Sequence, residues 1–391
     1  MRMKITDIKC IPVSYKVPQE KRHRTDTGWV VKFDNNYIIV ETSDGVTGYG
    51  ATFGSALTVK TIVEKYLKPL LLGEDPTMIE RLWMKMYCGP RGEASLERGY
   101  SIPSVNTRGE TMCAISGVDI ALWDILAKSL GQPLYKVLGG ARTRIKAYAS
   151  GGWQTADRIG DELGCYVTKG YKAVKMRAEG REGSFTIRKS VERVRAARDA
   201  LGPDIEIYVD AHASLDLAVA IKYAKELEEY QVGWLEEPIT QDDHASLKIL
   251  RAHTTTPIAT GERETSRFGI HSLLCCGGVD ILQPDLGMCG GLTEGKRIAG
   301  LASAYGLKLA THNWGNPVIA AVSLHYALSQ PAYSIFEVGQ STSPFMTDAL
   351  MENLDIRDGY VYPSTQPGIG VEFRPDYFER YPYLDCPEWE S

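Results

Sequence analysis

The chain has 391 residues, 43% apolar and 24% charged, with a net charge of −5 at neutral pH. That length and composition allow a sizeable core in two or three domains, and the acidic balance argues against nucleic acid or an anionic membrane as partner, since both draw on a basic face. No apolar run reaches the roughly 18 residues of a membrane span, and the start Met1-Arg2-Met3-Lys4 lacks a signal-peptide core, so a cytoplasmic protein is expected. The eight cysteines (10, 88, 113, 165, 275, 276, 289 and 386) form no CxxC pair and are expected to be buried, reduced thiols.

The first part of the chain reads as α+β. Residues 4–14 alternate like a strand, Tyr37 to Thr42 forms a second, and the turn Ser43-Asp44-Gly45 sends Val46 to Gly50 back beside it. Between the first two strands lies a polar loop, residues 19–26. Two readings of Arg22, His23 and Arg24 stand: solvated loop residues, or side chains that reach an anionic substrate. Thr58 to Leu71 and Pro76 to Tyr87 are expected as helices, and Cys88 to Asn106, rich in Gly, Arg, Ser and Pro, as a long loop. Thr111 to Leu130 is a further helix, stopped by Gly131 with Pro133 just beyond.

From about residue 146 the pattern changes. Lys146 to Ser150 and Lys172 to Arg177 read as strands. In the second, Lys175 and Arg177 project to one side, because side chains alternate along a strand. Two buried cations side by side are costly unless they face anions. Three short apolar runs then each lead to a carboxylate: Asp210, Glu236 after 26 residues, and Glu262 after 26 more. Asp285 and His312 follow runs of the same kind, and Tyr333 to Val338 carries Glu337. Helix-like segments such as Leu217 to Tyr230 and Thr293 to Tyr305 lie between. A strand and a helix every 25 or so residues mark a parallel βα barrel, whose strand ends meet at one face. Three carboxylates gathered there repel one another unless a cation lies among them, and hard oxygen ligands point to Mg²⁺ or Mn²⁺ rather than zinc. After about residue 355 short strands and turns return. The expected division is 1–130 for a capping domain, 131–355 for the barrel, and 356–391 returning to the cap.

The segment Ser116-Gly117-Val118-Asp119-Ile120-Ala121-Leu122-Trp123-Asp124, then Gly131-Gln132-Pro133-Leu134, is similar to the lead into the barrel in the enolase superfamily. The later order (a Lys-x-basic strand, Asp, Glu-Glu-Pro, Gly-Glu, Asp, His, Glu) resembles its mandelate racemase subgroup across essentially the whole chain. The resemblance implies an α/β fold: a modified (β/α)7β TIM-like barrel under an α+β capping domain built from both chain ends. It implies one Mg²⁺ on Asp210, Glu236 and Glu262, an Asp285–His312 dyad, and Lys175 and Arg177 in the Lys-x-Lys positions. Glu337 takes the place of a carboxylate near the substrate. Specificity would come from the capping loops near 15–30 and 50–56. A homo-oligomer is expected by resemblance.

Reactions of this family begin by removing a proton next to a carboxylate, with Mg²⁺ and a lysine stabilising the resulting enediolate. Arginine stays protonated and is a poor base, so Arg177 argues against a racemase with a base on each face and leaves His312, oriented by Asp285, as the base. His212, two residues past Asp210, is expected to face the same pocket. By likeness to sugar-acid dehydratases it would protonate a departing hydroxyl; the alternative is a hydrogen bond to a metal ligand. Trp314 stands as substrate wall or as packing. The expected function is a Mg²⁺-dependent dehydratase of an aldonate or aldarate, a hydro-lyase giving a 2-keto-3-deoxy acid. The alternatives are an epimerase or racemase, a sugar-lactone cycloisomerase, and a non-catalytic acid-sugar-binding protein.

Overall fold

The computed structural model describes residues 3–25, 28–104, 107–180, 185–341 and 343–390, without the side chains of residues 23 and 25. In chain order the first strands are β1 (Ile5–Lys16), β2 (His23–Thr25), β3 (Gly28–Val30), β4 (Lys32–Thr42) and β5 (Thr47–Thr52). Strands β1, β4 and β5 make one antiparallel sheet. Strands β2 and β3 pair as a ribbon, which Trp389–Glu390 extends from the far end of the chain. The polar loop expected at 19–26 is therefore partly strand, with Arg24 opposite Trp29.

A second departure lies at 88–106, where a helix, Gly92–Arg98, interrupts the expected loop. Glu93, Ala94, Leu96, Glu97 and Arg98 are good helix formers, and Gly99 ends the helix in a left-handed conformation at φ 70°. The helix Glu110–Ser129 is buried almost throughout and packs on β4 and β5. Gly50 is required there: a Cβ on it would collide with the Gly117 carbonyl.

The barrel follows: β6 (Ile145–Gly151), β7 (Ala173–Arg177), β8 (Glu206–Asp210), β9 (Trp234–Glu236), β10 (Ile258–Thr260), β11 (Ile281–Leu282), β12 (Lys308–Leu309) and β13 (Phe336–Gly339). From β6 to β12 neighbouring strands pair in parallel. β13 returns to β6, and bonds of Leu309 to Ala332 and Ser334 close the ring. A helix follows each strand from β6 to β12, from Ile159–Thr168 to Pro317–Ser329, which is the (β/α)7β order. The hairpin β14 (Asp355–Arg357) and β15 (Tyr360–Tyr362) then pairs with β6, and Phe373, Tyr377 and Phe378 pack around Tyr37 in the capping sheet.

Inside the barrel Tyr148, Tyr208 and Trp234 share a layer with Ala173, Ala259 and Ala310. Large residues beside small ones fill a closed barrel, so this layer is a floor and the strand ends above it form the mouth. All eight cysteines are free thiols. Cys10, Cys88, Cys113 and Cys289 are buried, but Cys165, Cys275 and Cys386 are exposed. The last three correct the expectation of burial: a thiol tolerates solvent, and composition does not say which face of a helix it occupies. Among the described residues no helix is long and apolar enough to cross a membrane.

Candidate active site

Strand register builds the mouth. Arg177 is level with Asp210 across β7 and β8, and Asp210 is level with Glu236 across β8 and β9. Glu262 lies just past β10, Asp285 past β11 and His312 past β12, and Glu337 is within β13. Lys175 reaches three acids: it forms a short ion pair with Glu236 Oε1, lies 2.9 Å from Glu337 Oε1 and 3.9 Å from Asp210 Oδ2. Arg177 Nη1 donates to Asp210 Oδ2 at 2.7 Å, and its guanidinium lies over the Trp153 ring. The gathered acids thus meet cations that the chain itself supplies, as the cost of burying Lys175 and Arg177 away from anions requires.

The electrostatics follow from burial and charge. Burial pushes Asp210 up, yet Arg177, Lys175 and His212 together hold its carboxyl well below the usual range. Burial raises Glu236 to about 7, with Asp210, Glu337 and Glu262 adding to it against Lys175. Burial works against the charge on Lys175, but Glu236, Glu337 and Asp210 keep it firmly protonated. Glu337 is also buried, and Lys175 and His312 pull its carboxyl down.

The dyad is formed. His312 Nδ1 lies 2.6 Å from Asp285 Oδ2, while Asp285 Oδ1 accepts the Gly287 amide at 2.6 Å. The buried aspartate fixes the ring, leaving Nε2 for the mouth, 3.9 Å from Glu262 Oε1. Burial disfavours the imidazolium, but Glu262, Asp285 and Glu337 outweigh it and raise His312 well above its ordinary value.

A hard divalent cation needs several carboxylate oxygens on one concave face and negative charge to spare. Asp210, Glu236 and Glu262 meet the first need in chemistry and strand order. Beside them, burial first and then the charges of Glu262 and Asp210 raise Glu237 to about 9 despite Arg263. Among the described residues no three acidic, histidine or cysteine side chains close round one point as a ligand shell. Glu236 and Asp210 lean instead towards Lys175 and Arg177. By donor chemistry the set of three carboxylates fits Mg²⁺ or Mn²⁺.

His212 stays beside Asp210, but strand alternation is not what puts it there. Strand β8 ends at Asp210, and His212 and Ala213 take left-handed conformations at φ 51° and 58°, so strand alternation does not carry across to His212. Its amide donates to Asp210 Oδ1 at 2.8 Å, and its ring is near enough to help lower the Asp210 carboxyl.

The capping candidates separate. Arg24 lines a cleft with Trp153, Arg177, Glu179, Asp210 and Ser214. Arg22 is not brought there; its guanidinium pairs with Glu390 at 3.4 Å. The His23 side chain lies outside the described residues. Trp314 packs its ring over Gly339 at the end of β13. From the second capping loop, Phe53 comes to 6.1 Å between ring centroids from His312.

The enolase C-terminal domain-like family matches residues 159–377, and the mandelate racemase / muconate lactonizing enzyme N-terminal domain matches residues 15–139. The chain belongs to the mandelate racemase subgroup of the enolase superfamily. It is 33% identical to an arabinonate dehydratase of Saccharolobus solfataricus, over 88% of this chain and 89% of that one. It is 31% identical to a D-galactarolactone cycloisomerase of Agrobacterium fabrum, over 90% and 94%. The solved structure of a superfamily member from Polaromonas sp. superposes with a TM-score of 0.90 at 35% identity, covering 99% of this chain and all of that one.

In this superfamily enzyme several mouth residues escaped the sequence reading. Glu237, the second acid of Glu-Glu-Pro, turns away at φ 37° and binds Arg263 Nε through both oxygens, at 3.0 and 2.9 Å. Trp153 was hidden in a loop. Trp234 and Gln283 both donate to Glu236 Oε2. Trp234 had a legible signal, since it precedes Glu236 by two residues and so shares its face of the strand.

Proposed function

We propose that the enzyme is a hydro-lyase, dehydrating a sugar acid to a 2-keto-3-deoxy acid. Asp210, Glu236 and Glu262 would hold a Mg²⁺, which supplies Lewis-acid charge beside the substrate carboxylate when bound. His312 Nε2 takes the proton from C2 as the C–H electrons move towards the carboxylate. Lys175 places a fixed positive charge where the enediolate develops. His212 protonates the leaving 3-hydroxyl, water departs, and the enol ketonises.

The observation that carries this reading is the asymmetry of the mouth. The neutralisable base is His312, oriented by Asp285 at 2.6 Å, whereas Arg177 is a permanent cation paired with Asp210 at 2.7 Å. One base suits elimination and does not suit exchange between two faces. Arabinonate dehydratase among the relatives supports the same class. A second reading is favoured by the cycloisomerase relative: β-elimination opening a sugar lactone, with the same base and no need for a strong acid on the leaving group. The test is a screen of mono- and diacid sugars for 2-keto-3-deoxy products, with Mg²⁺ and with EDTA. Product that forms only with the metal supports dehydration; ring-opened lactone or C2 exchange in D₂O without loss of water supports the second reading.

A further inference from the structure

Resting on the reading of Glu236 as a metal ligand, we infer that Trp234 and Gln283 are positioning residues that make Glu236 a one-oxygen ligand. The indole Nε1–H of Trp234 donates to Glu236 Oε2 at 2.9 Å, and the Gln283 amide Nε2–H donates to the same oxygen at 2.8 Å. Both donors are buried, at 3% and 0% exposure. Two such bonds occupy the accepting directions of Oε2 that face the protein, and Oε1 is left for Lys175 or an incoming cation.

The support runs downward into the fold. Trp234 cannot swing away, because its ring stacks on Tyr208 at 3.5 Å and 3°, and Tyr148 meets both rings edge-on. Gln283 follows β11, and its amide bonds back to Thr260 of β10 at 2.9 Å. Its side-chain carbonyl has no hydrogen-bond partner among the described residues, so the charge on Glu236 sets which way the carboxamide faces. The aromatic floor of the barrel thus fixes the torsion of one carboxylate at its mouth, as outer-shell partners do for metal ligands.

Two measurements test this, one of them without metal. In metal-free protein labelled with ¹⁵N-tryptophan, the indole resonance missing from Trp234→Phe belongs to Trp234. It is expected well downfield, as for a bond to a carboxylate, and to move upfield in Glu236→Gln. In parallel, Mn²⁺ affinity is measured by paramagnetic resonance in Gln283→Met and Trp234→Phe, with circular dichroism and Tm as controls on folding. Each variant is expected to bind Mn²⁺ about tenfold or more weakly while keeping its fold. An indole resonance that ignores Glu236→Gln, or Mn²⁺ affinities within twofold of the parent, overturns the inference. If the parent binds no Mn²⁺ but the resonance moves, the orientation of Glu236 stands and the metal reading falls.

Discussion

Two histidines, half-buried His312 at the barrel mouth and fully buried His325 at the joint between barrel and cap, show how the same ring is put to opposite use. His312 faces Asp285, Glu262 and Glu337, and their charge outweighs burial and favours its protonated form. His325, on the helix Pro317–Ser329, stacks on Tyr135 at 5.8 Å and accepts the Tyr135 amide at Nδ1. Burial without a compensating carboxylate lowers it to about 4, so it stays neutral and serves packing. Desolvation pulls both rings the same way, so the carboxylates within a few ångströms decide which histidine is fitted for proton transfer.

The strongest way to break this comparison is His312→Asn. Loss of a positioned base costs about 10²–10⁴-fold, so C2-proton exchange in D₂O should fall by that much, while His325→Asn should leave the exchange rate near that of the parent. Exchange that survives in His312→Asn would put the base elsewhere. Lys175→Met removes a cation from among three acids. Metal-free stability in urea should drop by about 3–5 kcal/mol, and Mg²⁺ should restore part of it by neutralising the same charge. An equal loss with and without Mg²⁺ would mean the lysine and the metal do not share these acids.

The pH dependence sharpens the contrast next. The folded value of His325 is below its ordinary 6.5, so the unfolded chain binds the extra proton first as pH falls. Stability should therefore decline from pH 6.5 towards 4, by about 3 kcal/mol from this residue, and His325→Asn should flatten that slope. His312 has the opposite sign. Its folded value is raised, so its contribution is present at low pH and lost as pH rises through that value. Denaturant midpoints across the pH range check both slopes. The smallest effect belongs to the exposed edge of the mouth. Arg24→Ala should raise KM about three- to tenfold with kcat nearly kept, since an exposed guanidinium is partly screened by water. An unchanged KM would leave Arg24 a bystander.

Much of the mouth was legible because the chemistry repeats with the strands. Asp210, Glu236 and Glu262 recur at equal spacing, and Lys175 and Arg177 share a strand face, so one-dimensional order became one place in space. What failed to show needed conformations or partners that local pattern does not encode. His212 does lie beside Asp210, but a left-handed backbone past the strand's end puts it there, and alternation does not encode that. Arg22 and Arg24 are equal in composition; the first pairs with Glu390 at the far end of the chain, and the second turns to the cleft. The helix Gly92–Arg98 was masked by the glycines, arginines and prolines around it. Glu237 looks like its neighbour Glu236 until the chain bends at φ 37°.

The helix Glu110–Ser129 carries a consequence for how the molecule comes apart. It is apolar nearly all round, because one side lies on the capping sheet and another on the barrel helix Gly291–Ala304, where Asp119 accepts the Thr293 amide and hydroxyl at 2.8 and 2.6 Å. A cap severed from its barrel would leave that second side in water, with no polar face to keep it soluble. The two parts therefore share one melting event, and an N-terminal fragment ending at the helix would aggregate rather than fold.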